Sequence, residues 1–347
     1  MRFAAVIAAV AGLGLGTATA QDFSDDGSAS PFAWAESGEK AEYLEEKASE
    51  DSGSRVIGGE VAADGAWPWQ VALMIKGKGI TPDAHFCGGS LVLDQWVLTA
   101  AHCVHMQDPQ GQYRDINPAA IQVLAGTNQI AEGKGDLIDV AALYRFPGYI
   151  GGVFDNDIAL LKLSRAPQVP YETVKIPDAE LGDLLEQPGV TTTVTGWGLI
   201  DGGEHPQDMR QADIQMLPRD ACNQALMEAR AEVAAKGFVF AAKTFGLTPD
   251  DAQGAWEELV KRAPIPISEN MICSGTYEGG KTACSGDSGG PLVVKVNDEG
   301  LYIQAGVVSW GLSGEGGKSC NEQAKFSAYT RTANYVDWLN GIISANP

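Results

Sequence analysis

Histidine is scarce in this chain of 347 residues: there are four, His85, His102, His105 and His205. Neither they nor the six cysteines show the paired spacing of a zinc site, so no metal and no cofactor are expected. Positive charge is also short. Lysine and arginine number 24 against 45 aspartates and glutamates, a formal net charge of −21. That balance argues against nucleic acid or an anionic membrane as a partner. Long apolar runs are missing too: none reaches the ~20 residues a membrane helix needs. Phe3 to about Leu15 is apolar, follows Met1-Arg2 and precedes Ala18-Thr19-Ala20, the pattern of an export signal over residues 1–20. The expected destination is oxidising, either periplasm or extracellular medium, with no membrane anchor. The short alanine-rich leader has a bacterial cast. Large apolar side chains are few in residues 21–55, an acidic stretch that cannot bury enough surface to fold alone.

What is present is concentrated near the C-terminus, in Cys284-Ser285-Gly286-Asp287-Ser288-Gly289-Gly290-Pro291. A serine hydroxyl is a weak nucleophile unless a base lies within hydrogen-bond reach and donors face the oxyanion it creates. Glycines around Ser288 let the backbone turn tightly enough to aim N–H groups at one spot. His102 is the candidate base. It sits in Leu98-Thr99-Ala100-Ala101-His102-Cys103, where small residues leave room for an imidazole. Asp157 is the candidate carboxylate, placed just before the apolar strand Ile158-Ala159-Leu160-Leu161 and so poised to be half buried. His85 reads as a packing residue, His105 and His205 as surface or loop residues.

Three segments in this order, Thr99–Cys103, Asp155–Leu160 and Gly286–Pro291, resemble the chymotrypsin/trypsin family of serine endopeptidases. Arg55-Val56-Ile57-Gly58-Gly59 is similar to the family's activation site, and Ser309-Trp310-Gly311 to its substrate-binding strand. The resemblance runs from about Val56 to the C-terminus. It implies an all-β fold of two six-stranded antiparallel barrels with the cleft between them, and apolar residues at helical spacing from Tyr335 to Ile343 predict a C-terminal helix packed on a barrel. In that reading Ser288 attacks the scissile carbonyl, His102 moves the proton, Asp157 orients the imidazole, and the Gly286 and Ser288 amides bind the oxyanion. Ser309 would bond Asp157. The resemblance also implies the disulfides Cys87–Cys103, Cys222–Cys273 and Cys284–Cys320, whereas spacing alone leaves 15 pairings open.

By the same resemblance residues 21–55 are a pro-segment, and cutting after Arg55 frees the Val56 amine to pair with Asp287. At the pocket floor stands Thr282 where trypsin-like members carry aspartate, at the mouth Gly311, and at the wall Ser327 where glycine is common. An uncharged apolar or aromatic residue before the cut is therefore expected, and a separate Arg-preferring protease as activator. Protein or peptide substrates, protein inhibitors and a monomeric state complete the partners implied. The family's calcium loop is not matched, since Thr127-Asn128-Gln129 lacks the acidic pair. A non-catalytic module of this fold would lack a triad member. An esterase would carry Gly-x-Ser-x-Gly at a strand–helix turn, which is not the context here.

One stretch, about 223–268, exceeds what the family needs. Gln224 to Lys243 is alanine-rich, with a break expected at Gly237. A second helix is signposted by Thr248 as cap, Pro249 in the first turn, and Asp250 and Asp251 against the dipole. Trp256, Leu259 and Val260 are its expected buried stripe. The insertion could be a structural excursion on the second barrel, or a lid or exosite that restricts extended substrates, and the residues leave both open.

Overall fold

A computed structural model describes residues 59–152, 154–200, 204–276, 281–297, 300–311 and 326–347. The leader, the pro-segment, Arg55, Val56 and Cys320 lie outside the described residues. After the short β1 (Glu60–Val61) come β2 (Gln70–Ile75), β3 (His85–Leu93), β4 (Trp96–Thr99), β5 (His105–Gln107), β6 (Tyr113–Asp115), β7 (Ile121–Ala125), β8 (Asp136–Arg145) and β9 (Ala159–Leu163). The order β2-β3-β4-β9-β8-β7 closes a barrel, and β5 and β6 form a separate ribbon.

Helix α1 (Ala179–Leu185) leads to β10 (Thr191–Gly196) and β11 (Arg210–Met216). Helices α2 (Arg219–Thr244) and α3 (Pro249–Arg262) follow, then β12 (Met271–Gly275), β13 (Pro291–Lys295), β14 (Tyr302–Gly311), β15 (Phe326–Arg331) and α4 (Val336–Ala345). The sheet β11-β10-β13-β14-β15-β12 closes through the β11–β12 pairing, and β1 adds to the outside of β11. The expected pair of six-stranded antiparallel barrels is therefore present.

Side-chain period sets the barrel faces. In β11, Arg210, Ala212, Ile214 and Met216 are buried, while Gln211, Asp213 and Gln215 alternate outward. Two buried polar bonds link the barrels. Thr195 Oγ1 donates to Gln70 Oε1 at 2.6 Å, and Ser90 Oγ donates to Gln304 Oε1 at 2.6 Å. A buried polar group left unsatisfied costs about 1–3 kcal/mol, so these bonds penalise sliding of one barrel over the other. Helix α4 crosses back to the first barrel. Phe146 meets Tyr335 and Trp338 edge-on at 5.0 and 5.3 Å, and Leu339 joins that barrel's core.

The insertion is helical, with two differences from expectation. Helix α2 runs 26 residues without a break at Gly237. One glycine costs about 1 kcal/mol against alanine, too little to interrupt a helix this long and alanine-rich. In α3, Thr248 Oγ1 accepts from the Asp251 amide as a cap should, at 3.2 Å. Its apolar stripe, however, is not buried: Leu259 and Val260 are 52% and 40% exposed, and Trp256 is half buried on Phe238 at 5.3 Å. Helical spacing aligns those residues on one face but cannot supply a surface to cover it. The base of the insertion is firmly held. Cys222 is bridged to Cys273, and Asn223 exchanges hydrogen bonds with the backbone of Ile267 at 3.1 and 2.8 Å.

Candidate active site

Each candidate residue sits where a strand ends or begins. His102 follows β4, and its neighbour Cys103 is bridged to Cys87 on β3. Asp157 lies two residues before the start of β9, and Ser288 lies in the loop before β13. The Asp157 carboxylate is fully buried and fully engaged. Oδ2 lies 2.7 Å from His102 Nδ1 and accepts from Ser309 Oγ at 2.5 Å, while Oδ1 accepts from the His102 amide at 2.8 Å. Thr330 Oγ1 holds the Asp157 carbonyl at 2.7 Å. A carboxylate accepts only, so the network assigns the imidazole proton to Nδ1 and leaves Nε2 with its lone pair outward.

Ser288 is half buried and anchored by its backbone: its carbonyl accepts from the Gly88 amide at 2.7 Å. The Cys103 sulfur lies 3.6 Å from that carbonyl and 3.7 Å from His102 Nε2, so serine and histidine flank one disulfide. No hydrogen bond joins Ser288 Oγ to His102 among the described residues. Such contacts are often long without substrate and tighten in the reacting complex. Gly289 has φ of +81°, and a Cβ there would lie 2.2 Å from Thr99 Oγ1 and 2.6 Å from the Gly88 carbonyl. Only glycine lets the serine loop approach β3 and β4 this closely. Neither the Gly286 nor the Ser288 amide donates to an acceptor among the described residues.

Asp287 points away from the cleft into the protein. Oδ1 accepts from the Gly198 amide at 2.8 Å and Oδ2 from the Cys284 amide at 2.9 Å. Burial pushes its carboxyl up from 3.8 to about 6, against the pull of those two hydrogen bonds. No cation faces it among the described residues.

Three of the residues expected to line the pocket meet. Thr282 and Ser327 are both buried, their hydroxyls 2.5 Å apart, and Ser327 pairs across the sheet with Gly311. Trp310 is buried beside Phe326. Two of the expected disulfides, Cys87–Cys103 and Cys222–Cys273, are formed. Cys284 is disulfide-bonded as well, to a partner outside the described residues. The sulfurs of Cys87 and Cys103 and a His102 nitrogen lie within 4.8 Å, yet an oxidised pair offers no thiolate to a metal.

His205 lies in the loop between β10 and β11, as expected. His105 is half buried in β5, 2.5 Å from Asp115 and stacked on Tyr113. His205 is half buried; its Nδ1 lies 3.0 Å from the Trp197 carbonyl and its ring meets His85 edge-on at 5.6 Å. It also fills the space over Gly286, where a Cβ would come within 2.6 Å of its ring. The contacts remote in sequence are His85 for His205 and Tyr149, edge-on at 5.9 Å, for His105. His85 packs as expected, edge-on against Trp197 at 6.0 Å. Sequence reasoning assigned no role to Phe154 or Asp155. Phe154 meets the His102 ring edge-on at 5.7 Å. An acidic residue two before Asp157 was the one visible signal.

Comparison with known proteins agrees with this geometry. The trypsin family profile matches residues 56–339. Anionic trypsin of Canis lupus familiaris is 32% identical over 303 residues, covering 85% of this chain and 92% of the relative. Anionic trypsin of Bos taurus is 30% identical over 299 residues, with the same coverage. Trypsin V-B of Rattus norvegicus is 31% identical over 301 residues, covering 86% and 93%. These relatives are mammalian and lend nothing to the bacterial cast read from the leader. Two closed barrels, a buried aspartate on a histidine and a match along most of the chain lead to one assignment: this protein belongs to the trypsin family and is a serine endopeptidase.

Proposed function

We propose that Ser288, His102 and Asp157 are the catalytic triad of a secreted endopeptidase made as a precursor and activated after Arg55. The observation that carries this is the buried Asp157 carboxylate, bonded at once to the His102 ring, the His102 amide and Ser309. His102 Nε2 takes the Ser288 proton as Oγ bonds the scissile carbonyl carbon. The carbonyl oxygen becomes an oxyanion facing the Gly286 and Ser288 amides, each such donor being worth about 2.7–4 kcal/mol. The imidazolium then protonates the leaving amine as the C–N bond breaks, leaving an acyl-enzyme. Water, deprotonated by the same nitrogen, hydrolyses that ester and restores Ser288. A fluorophosphonate probe tests this: it labels Ser288 in the activated protein and not in Ser288→Ala. Labelling at another residue would overturn it.

Activation follows from Asp287. Cutting after Arg55 frees the Val56 amine as an ammonium, which would neutralise this buried carboxylate and order the loop bearing Gly286 and Ser288. Uncut, the native state holds the Asp287 proton more tightly than the unfolded chain does. Its stabilising contribution is full below about pH 4 and is lost as pH rises through about 6. Asp287's contribution to precursor stability therefore falls by about 2 kcal/mol from pH 4 to pH 7. Urea unfolding of inactive Ser288→Ala precursor across that range measures it. Asp287→Asn flattens the slope, and a slope unchanged by that substitution would exclude Asp287 as its source.

Specificity rests on Thr282 and Ser327, whose hydroxyls satisfy one another and offer no charge to an arginine or lysine. We assign the pocket to uncharged apolar or aromatic residues. The active enzyme is accordingly expected to leave Arg55 intact when mixed with Ser288→Ala precursor, whereas an Arg-preferring protease cuts there. Mass spectrometry of the new N-terminus decides it, and rapid self-cleavage at Arg55 would refute the assignment. A separate protease as activator, protein inhibitors as regulators, a monomeric state and export complete the reading. Among the described residues no helix is long and apolar enough to cross a membrane.

A further inference from the structure

The segment leading into Asp157 has an unusual backbone. Phe154 and Asn156 both lie at φ of +58°, the two non-glycine residues with positive φ among those described. Left-handed geometry is disfavoured for residues with a Cβ, most of all for a bulky phenylalanine. It persists where surrounding contacts over-determine it, and those sites are often functional.

The contacts come from both ends of the helical insertion. At its base, Phe154 packs on the cluster that includes Cys222, Leu226 and Ile267. Where the chain returns to the second barrel, Asp155 Oδ1 accepts from Ser268 Oγ at 2.7 Å and from Asn270 Nδ2 at 3.3 Å. Asn156 Oδ1 accepts from Tyr335 Oη at 2.9 Å and from Asn270 Nδ2 at 3.4 Å. Asn223 clamps the two ends of the insertion together through Ile267. Residues 154–156 are thus bonded to the second barrel, while Asp157 and His102 belong to the first.

We propose that Asp155 is a positioning residue for the reaction. Through Ser268 and Asn270 it bolts the turn before Asp157 to the turn by which the insertion returns to β12, and so sets the Asp157 carboxylate and the His102 ring toward Ser288 on the other barrel. This rests on the triad reading above. Asp155 touches no reacting atom. Its contribution is angular, and displacement of about 1 Å in a reacting group can cost 10²-fold in rate.

The test uses the cleaved full-length enzyme, a short peptide amide substrate and a fluorophosphonate probe. Asp155→Ala lowers kcat about 10- to 100-fold with KM within about twofold, and slows labelling of Ser288 in parallel. Asp155→Asn retains the Oδ1 acceptor and recovers most of the lost rate. Ser268→Ala lowers kcat in the same direction, and the double variant with Asp155→Ala is no slower than Asp155→Ala alone. Thermal melts confirm that the variants are folded. Wild-type kcat in Asp155→Ala, a change in KM alone, or an Asn variant as impaired as the Ala variant would each overturn the proposal while leaving the triad intact. A wild-type enzyme that is not labelled at Ser288 would instead overturn the triad, and this inference with it.

Discussion

Ser288→Ala in the cleaved enzyme is expected to lower kcat by about 10⁶-fold, as loss of the nucleophile does in serine proteases of a different fold. Alanine leaves no oxygen to form the ester, so hydrolysis must proceed by direct attack of water. A residual acceleration of about 10³–10⁴ over the uncatalysed reaction should remain, because substrate binding and the Gly286 and Ser288 amides survive. The fold should be indifferent. Ser288 is held through its carbonyl and the Gly88 amide, its hydroxyl bonding nothing among the described residues. A stability change within about 0.5 kcal/mol is expected. Adding His102→Ala to Ser288→Ala should cost little more, since the base has no proton to take once the hydroxyl is gone. Active-site labelling and single-turnover kinetics on one peptide substrate measure both effects. A Ser288→Ala enzyme within tenfold of wild type would place the nucleophile elsewhere.

Asp157→Asn is the second large effect, about 10⁴-fold in kcat, a magnitude known for the triad of this family rather than one obtained from these distances. The distances say why it should hold here. Oδ1 takes the His102 amide and Oδ2 takes both His102 Nδ1 and Ser309 Oγ. An asparagine that keeps its oxygen on the His102 amide turns its NH2 toward Nδ1. Nδ1 must then accept, the proton moves to Nε2, and the nitrogen facing Ser288 can no longer take the serine proton. Because the side chain keeps its shape, KM should change little. A comparable fall in KM and kcat, or a variant that merely unfolds, would contradict a tautomer effect. The kcat–KM split together with a thermal melt separates these cases.

Much of the site was legible because its chemistry is written locally. The glycines around Ser288, the small residues before His102 and the apolar run after Asp157 each describe their own surroundings, though Asp157 is fully buried where half burial was expected. The helix start at Thr248-Pro249 was legible for the same reason: a cap acts over three residues. His205 against Gly286, and Ser268 and Asn270 on Asp155, were not legible, because no local pattern records a contact between residues so far apart. The exposed stripe of α3 failed differently. Its spacing truly describes one apolar face, but only the packed protein decides what, if anything, lies against that face.

The sequence by itself determined the chemical identities, the cap of the second inserted helix, and the chain order of histidine, aspartate and serine. The tertiary structure alone decided how these meet. It seats Asp157 wholly out of water with three donors on its carboxylate, brings Ser288 and His102 to either side of one disulfide, and ties Phe154 and Asp155 to a helical insertion in the other barrel. The physical reason is range. Backbone propensity and periodicity act over a few residues, whereas burial and hydrogen bonding across a cleft arise only once both barrels have closed and docked.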